Sequence, residues 1–403
     1  MQADANPITP ELLQQNPLLG VYLTFVFAVI LVAATGFFAS WAFVFYRRNQ
    51  GKPILPMTLP WEPRRWSFVE VFFIVIGWIA LNMIMASSAA LILGVSKAPN
   101  ATLELAGAAS IGSLITVVLG TLWICVRYNT NVEHVGFGPI RGKLVATGLI
   151  GGLATIPLMY VVMGIVSSIS QSKYDHPLID SAVESATLVK YLLAVFAAAI
   201  VAPIVEEFLF RVVLQGWLQS IPFRSLAETI VGGDANKAPS YSMPAIDGAT
   251  PSIAASNIAA PVDATLYDYS AHNANDTIRV QAEPTSPAVS TSTADTARTM
   301  SGIYQPSGTL NSAEQASEVA VPENAIRPPF WPSIVAGVLF GVMHYGYGVS
   351  FIPLSFLGIF LGWIYRQTHS IWPCILIHMM LNSFSMMMLG LVILMKQAGI
   401  ETP

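Results

Sequence analysis

Charged residues are scarce in this sequence of 403 residues, since Asp, Glu, Lys and Arg together make up only 10% of it. Soluble domains carry about 25% charged residues, so the shortage argues against a soluble globular protein. A formal net charge of -4 also means that there is no excess of basic residues of the kind that attracts nucleic acid. We therefore expect no nucleic-acid partner.

Cysteine is nearly absent as well. The chain has two cysteines, Cys125 and Cys374, and both lie within apolar runs. Cysteines in such surroundings behave as small buried thiols, and two of them do not make the framework of a disulfide-stabilised secreted domain. The sequence thus predicts free thiols.

Hydrophobic residues dominate, at 54% of the chain. Apolar stretches near or above the roughly 18–20 residues that cross a bilayer occupy positions 21–46, 68–94, 105–126, 143–169, 188–219, 331–346, 350–365 and 371–395. The two between 331 and 365 are short and rich in glycine. We predict an all-α fold, a polytopic membrane bundle of about eight transmembrane helices that has the lipid bilayer as its partner.

The distribution of basic residues predicts the orientation of these helices. Every second short loop is basic; these loops contain Arg47, Arg48, Lys52, Arg64, Arg65, Arg127, Arg141, Lys143 and Arg366. Placing them in the cytoplasm puts both termini on the non-cytoplasmic side. We expect an integral membrane protein, with a bacterial inner membrane as its location.

Positions 222–330 differ from the rest of the chain, because they are rich in Ala, Ser, Thr, Pro, Asn and Asp. A segment with so few large apolar side chains does not bury enough surface to fold alone. The predicted organisation is therefore N-terminal transmembrane helices over 1–187, a functional core over 188–221 and 331–395, and a disordered cytoplasmic insert over 222–330.

The stretch "IVEEFLFR", from Ile204 to Arg211, places three charges inside one apolar segment. Each charge at the centre of a membrane helix costs about 2.5–3.5 kcal/mol on insertion scales. Residues four apart share a helical face, so Glu207 is expected to pair with Arg211. Glu206 points about 100° away from Glu207 and has no local partner, which suits a general base.

Further polar residues lie in the last apolar segments. His344 follows Phe340 by four residues, while His378 and Asn382 are four apart and share one face of the final helix. At about 1.5 Å per residue from the cytoplasmic ends, these residues lie at depths of roughly 10–20 Å. Together with Glu206 they are expected to meet in the cytoplasmic half of the bilayer.

Three motifs resemble those of a known family. "EEFLFR", "FGVMH" and "HMMLN", in this order and in separate apolar segments, are similar to the motifs of the CAAX-protease and bacteriocin-processing family of intramembrane glutamic endopeptidases. The resemblance covers about 188–220 and 331–390. The long insert between the first two motifs departs from the family's compact core.

The resemblance implies a peptide hydrolase whose substrate is a membrane-anchored protein or peptide, in some members a prenylated CAAX-type tail. It implies that Glu206 and His344 activate a water molecule, and that His378 and Asn382 stabilise the oxyanion. Glu207 and Arg211 would then be a supporting ion pair. No cofactor and no metal are expected for this mechanism.

Two other functions remain open from the residues alone. One glutamate and two histidines are also zinc ligands, although the sequence has no His-Glu-x-x-His motif and catalytic zinc takes three protein ligands with defined geometry. Intramembrane charges serve transport as well, so a transporter or an immunity factor on the same scaffold is the other alternative. The presence of all three motifs favours hydrolysis over both.

Overall fold

The computed structural model of the protein describes residues 8–55, 61–94, 102–170, 183, 187–233 and 327–400. They belong to one compact unit, formed by Met1–Met243 and Ala320–Pro403. A second unit, Pro244–Val319, lies wholly outside the described residues. Most of the predicted insert 222–330 therefore lies outside them too, and its disorder stays a prediction.

The described residues contain helices and no strand, which confirms the predicted all-α fold. The helices are α1 (Pro10–Gln15), α2 (Pro17–Asn49), α3 (Phe68–Ile92), α4 (Thr102–Arg127), α5 (Gly142–Ser170), α6 (Leu188–Phe223), α7 (Leu226–Val231), α8 (Trp331–Val342), α9 (Phe351–Thr368) and α10 (Trp372–Gln397).

Seven helical segments of the described part are long and apolar enough to cross a membrane: those containing α2, α3, α4, α5, α6, α9 and α10. Helix α8 has 12 residues. At about 1.5 Å per residue it is shorter than a hydrocarbon core of about 30 Å. The eighth apolar segment is thus a half-length helix, and the side of the membrane on which each loop lies stays a prediction.

Helices α8 and α9 form a tightly packed hairpin, connected through a 3₁₀ helix at Tyr345–Ser350. A Cβ atom added to Gly358 would lie only 2.8 Å from the Cα atom of Gly337. Small residues let two helices approach this closely, and such packing replaces the hydrophobic driving force that is missing between helices in lipid. The hairpin fixes the position of the end of α8 relative to α9, and His344 follows that end.

Helix α6 is irregular, because α-helical turns alternate with two π-helical segments, Phe196–Val201 and Phe208–Gln215. The two acidic residues lie in the α-helical turn between them, Ala202–Glu207. π-helical segments are rare and occur often at functional sites. In the second one, the fully buried Gln215 donates from Nε2 to Ser333 Oγ at 3.1 Å and to the Gly362 carbonyl at 2.8 Å, which fixes α6 against the hairpin.

The chain stays ordered beyond the predicted start of the insert at 222. Ser225 caps α7, and the indole nitrogen of Trp217 donates to the Thr229 carbonyl at 3.0 Å. Arg224 donates to the Trp66 carbonyl at 2.6 Å, in the segment that precedes α3. Residues 222–233 therefore belong to the folded unit.

Candidate active site

Glu207 and Arg211 form a buried ion pair within α6. Arg211 Nε donates to Glu207 Oε2 at 2.8 Å, and both side chains have 0% relative exposure. The guanidinium carbon of Arg211 also lies 5.7 Å from the ring centroid of Phe340, in the geometry of a cation–π contact. The Glu207–Arg211 pair that the spacing of four residues predicts is present, and Phe340 of α8 packs its ring against the guanidinium group.

The same glutamate holds His378, which lies on α10. The Nδ1 atom of His378 is 2.9 Å from Glu207 Oε1, so one carboxylate is shared between an arginine and a histidine. The His378 side chain is 3% exposed. Because the ionised carboxylate accepts the Nδ1 proton, the orientation of the imidazole ring is fixed and Nε2 faces away from Glu207.

Glu206 lies between two histidines. Its Oε2 atom is 3.9 Å from His344 Nε2 and 3.8 Å from His378 Nε2. These separations exceed the length of a direct hydrogen bond, and the buried Oε2 atom has no hydrogen-bond partner within the described residues. The side chains of Glu206 and His344 are 24% and 23% exposed, whereas the Glu207 and Arg211 side chains are fully buried.

His344 follows the last turn of α8 rather than lying inside a spanning helix. Its Nδ1 atom is 2.8 Å from the Phe340 carbonyl oxygen, which makes Nδ1 the protonated nitrogen of the neutral ring and leaves Nε2 toward Glu206. The Phe340 ring is fully buried and lies 5.1 Å from the His344 ring and 5.4 Å from the His378 ring, centroid to centroid. One phenylalanine thus positions both histidines.

Asn382 is bound to the backbone of α6. Its Nδ2 atom donates to the Ala198 carbonyl at 2.8 Å. In the adjoining π-helical segment the Ala202 N–H bonds to the Ala197 carbonyl, and Pro203, the next residue, has no N–H with which to bond to Ala198. The proline leaves a carbonyl oxygen unpaired within its own helix, and Asn382 satisfies it.

The structure brings five of the six predicted site residues into one chain of contacts: Arg211, Glu207, His378, Glu206 and His344. Asn382 lies one helical turn beyond His378 on α10, and one hydrogen of its amide group remains beside the one given to Ala198. No three His, Cys, Asp or Glu side chains in the described ranges are arranged to hold a metal ion.

Sequence reasoning missed three supporting residues. Phe340 appears only as the first residue of a motif, Gln215 looks like an ordinary polar residue near a helix end, and the bond between Ala198 and Asn382 spans 184 positions. Pro203 was a usable signal, because a proline inside a helix always frees a carbonyl oxygen. The residue that donates a hydrogen bond to this oxygen, Asn382, lies far away in the sequence.

The fold and the site together define a polytopic helical membrane protein with a partly exposed glutamate between two histidines. Residues 188–233 and 319–384 match the model of the family described as type II CAAX prenyl endopeptidase Rce1-like. The match confirms the resemblance that the three motifs indicate, and it supports a CAAX protease-like peptidase. Both matched segments contain site residues, and residues 234–318 separate them. No curated protein and no solved structure matches the chain.

Proposed function

We propose that the protein is an intramembrane glutamic endopeptidase that hydrolyses a peptide bond near the membrane end of a membrane-anchored protein or peptide, such as a prenylated CAAX-type tail. The observation that carries the proposal is the position of Glu206 Oε2, unpaired among the described residues and flanked by two imidazole Nε2 atoms at 3.8 and 3.9 Å. A carboxylate in this arrangement binds and deprotonates a water molecule.

Glu206 acts as the general base. It takes one proton from the water while the water oxygen bonds to the carbonyl carbon of the substrate, and the carbonyl oxygen becomes an oxyanion. The Nδ1–H group of His344 donates a hydrogen bond to the Phe340 carbonyl oxygen. Its Nε2 atom therefore accepts a hydrogen bond from the second hydrogen of the water, which orients the water for attack. The C–N bond then breaks, and Glu206 returns its proton to the leaving amine.

His378 and Asn382 stabilise the oxyanion. Donation from His378 Nε2 requires a doubly protonated ring, whose charge the Glu207 carboxylate beside Nδ1 offsets. Asn382 contributes the amide hydrogen that Ala198 does not take. Donors fixed in a site with little water are worth about 10²–10³-fold in rate each, and the ion pair Glu207–Arg211 keeps the His378 donor in place.

The test is cleavage of a membrane-anchored peptide by purified full-length protein and its variants. Glu206→Gln keeps the size and polarity of the side chain but removes its basicity, and we expect it to fold normally and to lose cleavage. His344→Ala and His378→Ala should be comparably inactive. Glu133→Gln, which removes an exposed carboxylate outside the site, is the matched control and should cleave at the wild-type rate.

Two outcomes contradict the proposal. Wild-type cleavage by Glu206→Gln shows that this carboxylate is not the base. Loss of wild-type activity on adding a chelator, followed by recovery with zinc, replaces the glutamic mechanism with a metal-dependent one.

A further inference from the structure

A cavity of about 460 Å³ lies beside the ends of two candidate membrane spans, and none of its lining residues belongs to the candidate active site. Its walls come from two segments, one just before α3 and one just after α4, and consist of Glu62, Pro63, Arg64, Arg65, Trp66, Tyr128, Asn129, Thr130, Asn131 and His134. The volume falls within the range of about 300–1,000 Å³ that is typical of small-ligand sites.

The cavity is cationic. Two arginines line it, against one carboxylate, Glu62, which already faces His134 Nε2 at 3.9 Å. His134 also donates a hydrogen bond from Nδ1 to Asn131 Oδ1 at 2.7 Å. Glu62 is the single carboxylate among the lining residues, so the two arginines leave the wall with an excess of positive charge.

Arg64 is the unusual residue of this wall, because it is a buried cation without a counterion. Its side chain donates from Nη1 to the His134 carbonyl, it has 8% relative exposure, and its Nε atom has no hydrogen-bond partner within the described residues. None of the ion pairs formed among those residues includes Arg64. A buried charge is costly unless an opposite charge lies beside it, so the site lacks an anion.

The location indicates which anion fits. The walls end where two candidate spans begin and end, at Phe68 and Arg127, which is the depth of lipid headgroups. Beside the cavity, the outer faces of those helices present Phe68, Phe72, Trp123 and Val126, each between 45% and 82% exposed. An anionic lipid uses both the cationic cavity and the apolar face, whereas a free phosphate ion uses only the first.

We propose that this cavity binds the phosphate-bearing headgroup of an anionic phospholipid, with Arg64 and Arg65 as its cationic ligands. Basic pockets at the ends of transmembrane helices recognise such headgroups through paired arginine–phosphate hydrogen bonds. The site is independent of peptide hydrolysis, so it does not require the proposed function.

The experiment measures the thermal unfolding midpoint of the delipidated full-length protein in detergent while short-chain phosphatidylglycerol is titrated in. A ligand that binds only the folded state raises the midpoint in proportion to its affinity. We expect a saturable rise with phosphatidylglycerol. With short-chain phosphatidylcholine, or with inorganic phosphate at equal concentration, we expect at most a small rise.

The variants locate the site. Arg65→Gln changes an exposed residue of the cavity rim and should weaken the apparent affinity about tenfold, as expected for one charged hydrogen bond. Arg48→Gln removes an exposed arginine in the last turn of α2 that does not line the cavity and should leave the affinity unchanged. If the Arg64→Gln variant folds, phosphatidylglycerol should no longer raise its unfolding midpoint. If that variant does not fold, the affinity of Arg65→Gln tests whether the lipid binds in this cavity.

Four results would overturn the proposal. If inorganic phosphate raises the unfolding midpoint as much as phosphatidylglycerol does, the cavity is a site for free phosphate. If phosphatidylcholine raises it equally, the negative charge of the lipid plays no role in binding. Unchanged affinity in Arg65→Gln places the lipid elsewhere. Equal losses in Arg65→Gln and Arg48→Gln reveal a general surface-charge effect.

Discussion

The side-chain amide of Asn382 and the carbonyl oxygen of Ala198 are joined by a hydrogen bond of 2.8 Å, at the point where Pro203 removes a donor from α6. The final helix is thereby attached to the helix that holds Glu206. Asn382 thus has a structural bond whether or not its second amide hydrogen reaches the substrate.

Replacing Asn382 by alanine should affect stability and activity together. Loss of the donor leaves the Ala198 carbonyl unpaired, which costs about 1–3 kcal/mol, and loss of an oxyanion donor lowers the cleavage rate by about 10²–10³-fold. Adding Pro203→Ala restores a backbone N–H for Ala198. We expect the double variant to recover unfolding stability but not the cleavage rate. Recovery of both would assign Asn382 a structural role alone, and recovery of neither would contradict the role of Pro203.

Glu207 and Arg211 should behave as a coupled pair. Removing either partner leaves a buried charge uncompensated, at a cost of about 3–5 kcal/mol. The double change Glu207→Leu with Arg211→Leu should restore the yield of monodisperse protein better than either single change. Because His378 loses the partner of its Nδ1 atom, the double variant should still cleave poorly. Stability effects that simply add in this double-mutant cycle would show that the two side chains are not coupled.

His369 should make the folded state sensitive to acid. It lies between α9 and α10 with 8% exposure and both ring nitrogens unpartnered among the described residues. Burial, together with the charges of Arg64 and Arg366, lowers the pKa of His369 to about 3, whereas an unfolded histidine has a pKa of about 6.5. The unfolded chain therefore binds a proton that the folded chain does not, and stability falls as the pH drops below about 6.5.

The slope of this loss is at most about 1.4 kcal/mol per pH unit. His369→Asn provides the comparison, because asparagine tolerates the left-handed backbone of this position, where φ is 50°. Denaturant unfolding in detergent between pH 7 and pH 5 should give a shallower loss for the variant. Parallel curves for the two proteins would mean that His369 does not titrate as expected.

The insert should be dispensable only from residue 234 onward. Deleting 234–326 and joining the ends through a flexible Gly/Ser linker should leave a membrane-inserted, active protein, because the segment is poor in large apolar residues. A deletion that starts at 222 also removes the bonds of Arg224 and Thr229 to the folded unit and should reduce the yield of folded protein. The two deletions are compared by the amount of protein extracted from membranes and by the rate of peptide cleavage. Loss of activity on deleting 234–326 would show that the insert has a function.

The sequence by itself determined the properties that depend on neighbouring residues. The length and hydropathy of the apolar runs predict a helical membrane protein, because a chain in lipid must satisfy its own backbone. The spacing of four residues predicts the Glu207–Arg211 pair, since that spacing places two side chains on one helical face. The three motifs indicate the residues of the candidate site and the family that the chain resembles.

Only the tertiary structure decided how these residues share their bonds. Glu207 and His378 are 171 positions apart, and their contact depends on how α6 and α10 pack, which no local pattern encodes. The π-helical segments on both sides of Glu206 and Glu207 are visible only in the structure, because a segment that is apolar all round has no polar face to reveal a change of helical period. Only the structure shows that α8 ends before His344 and packs closely against α9.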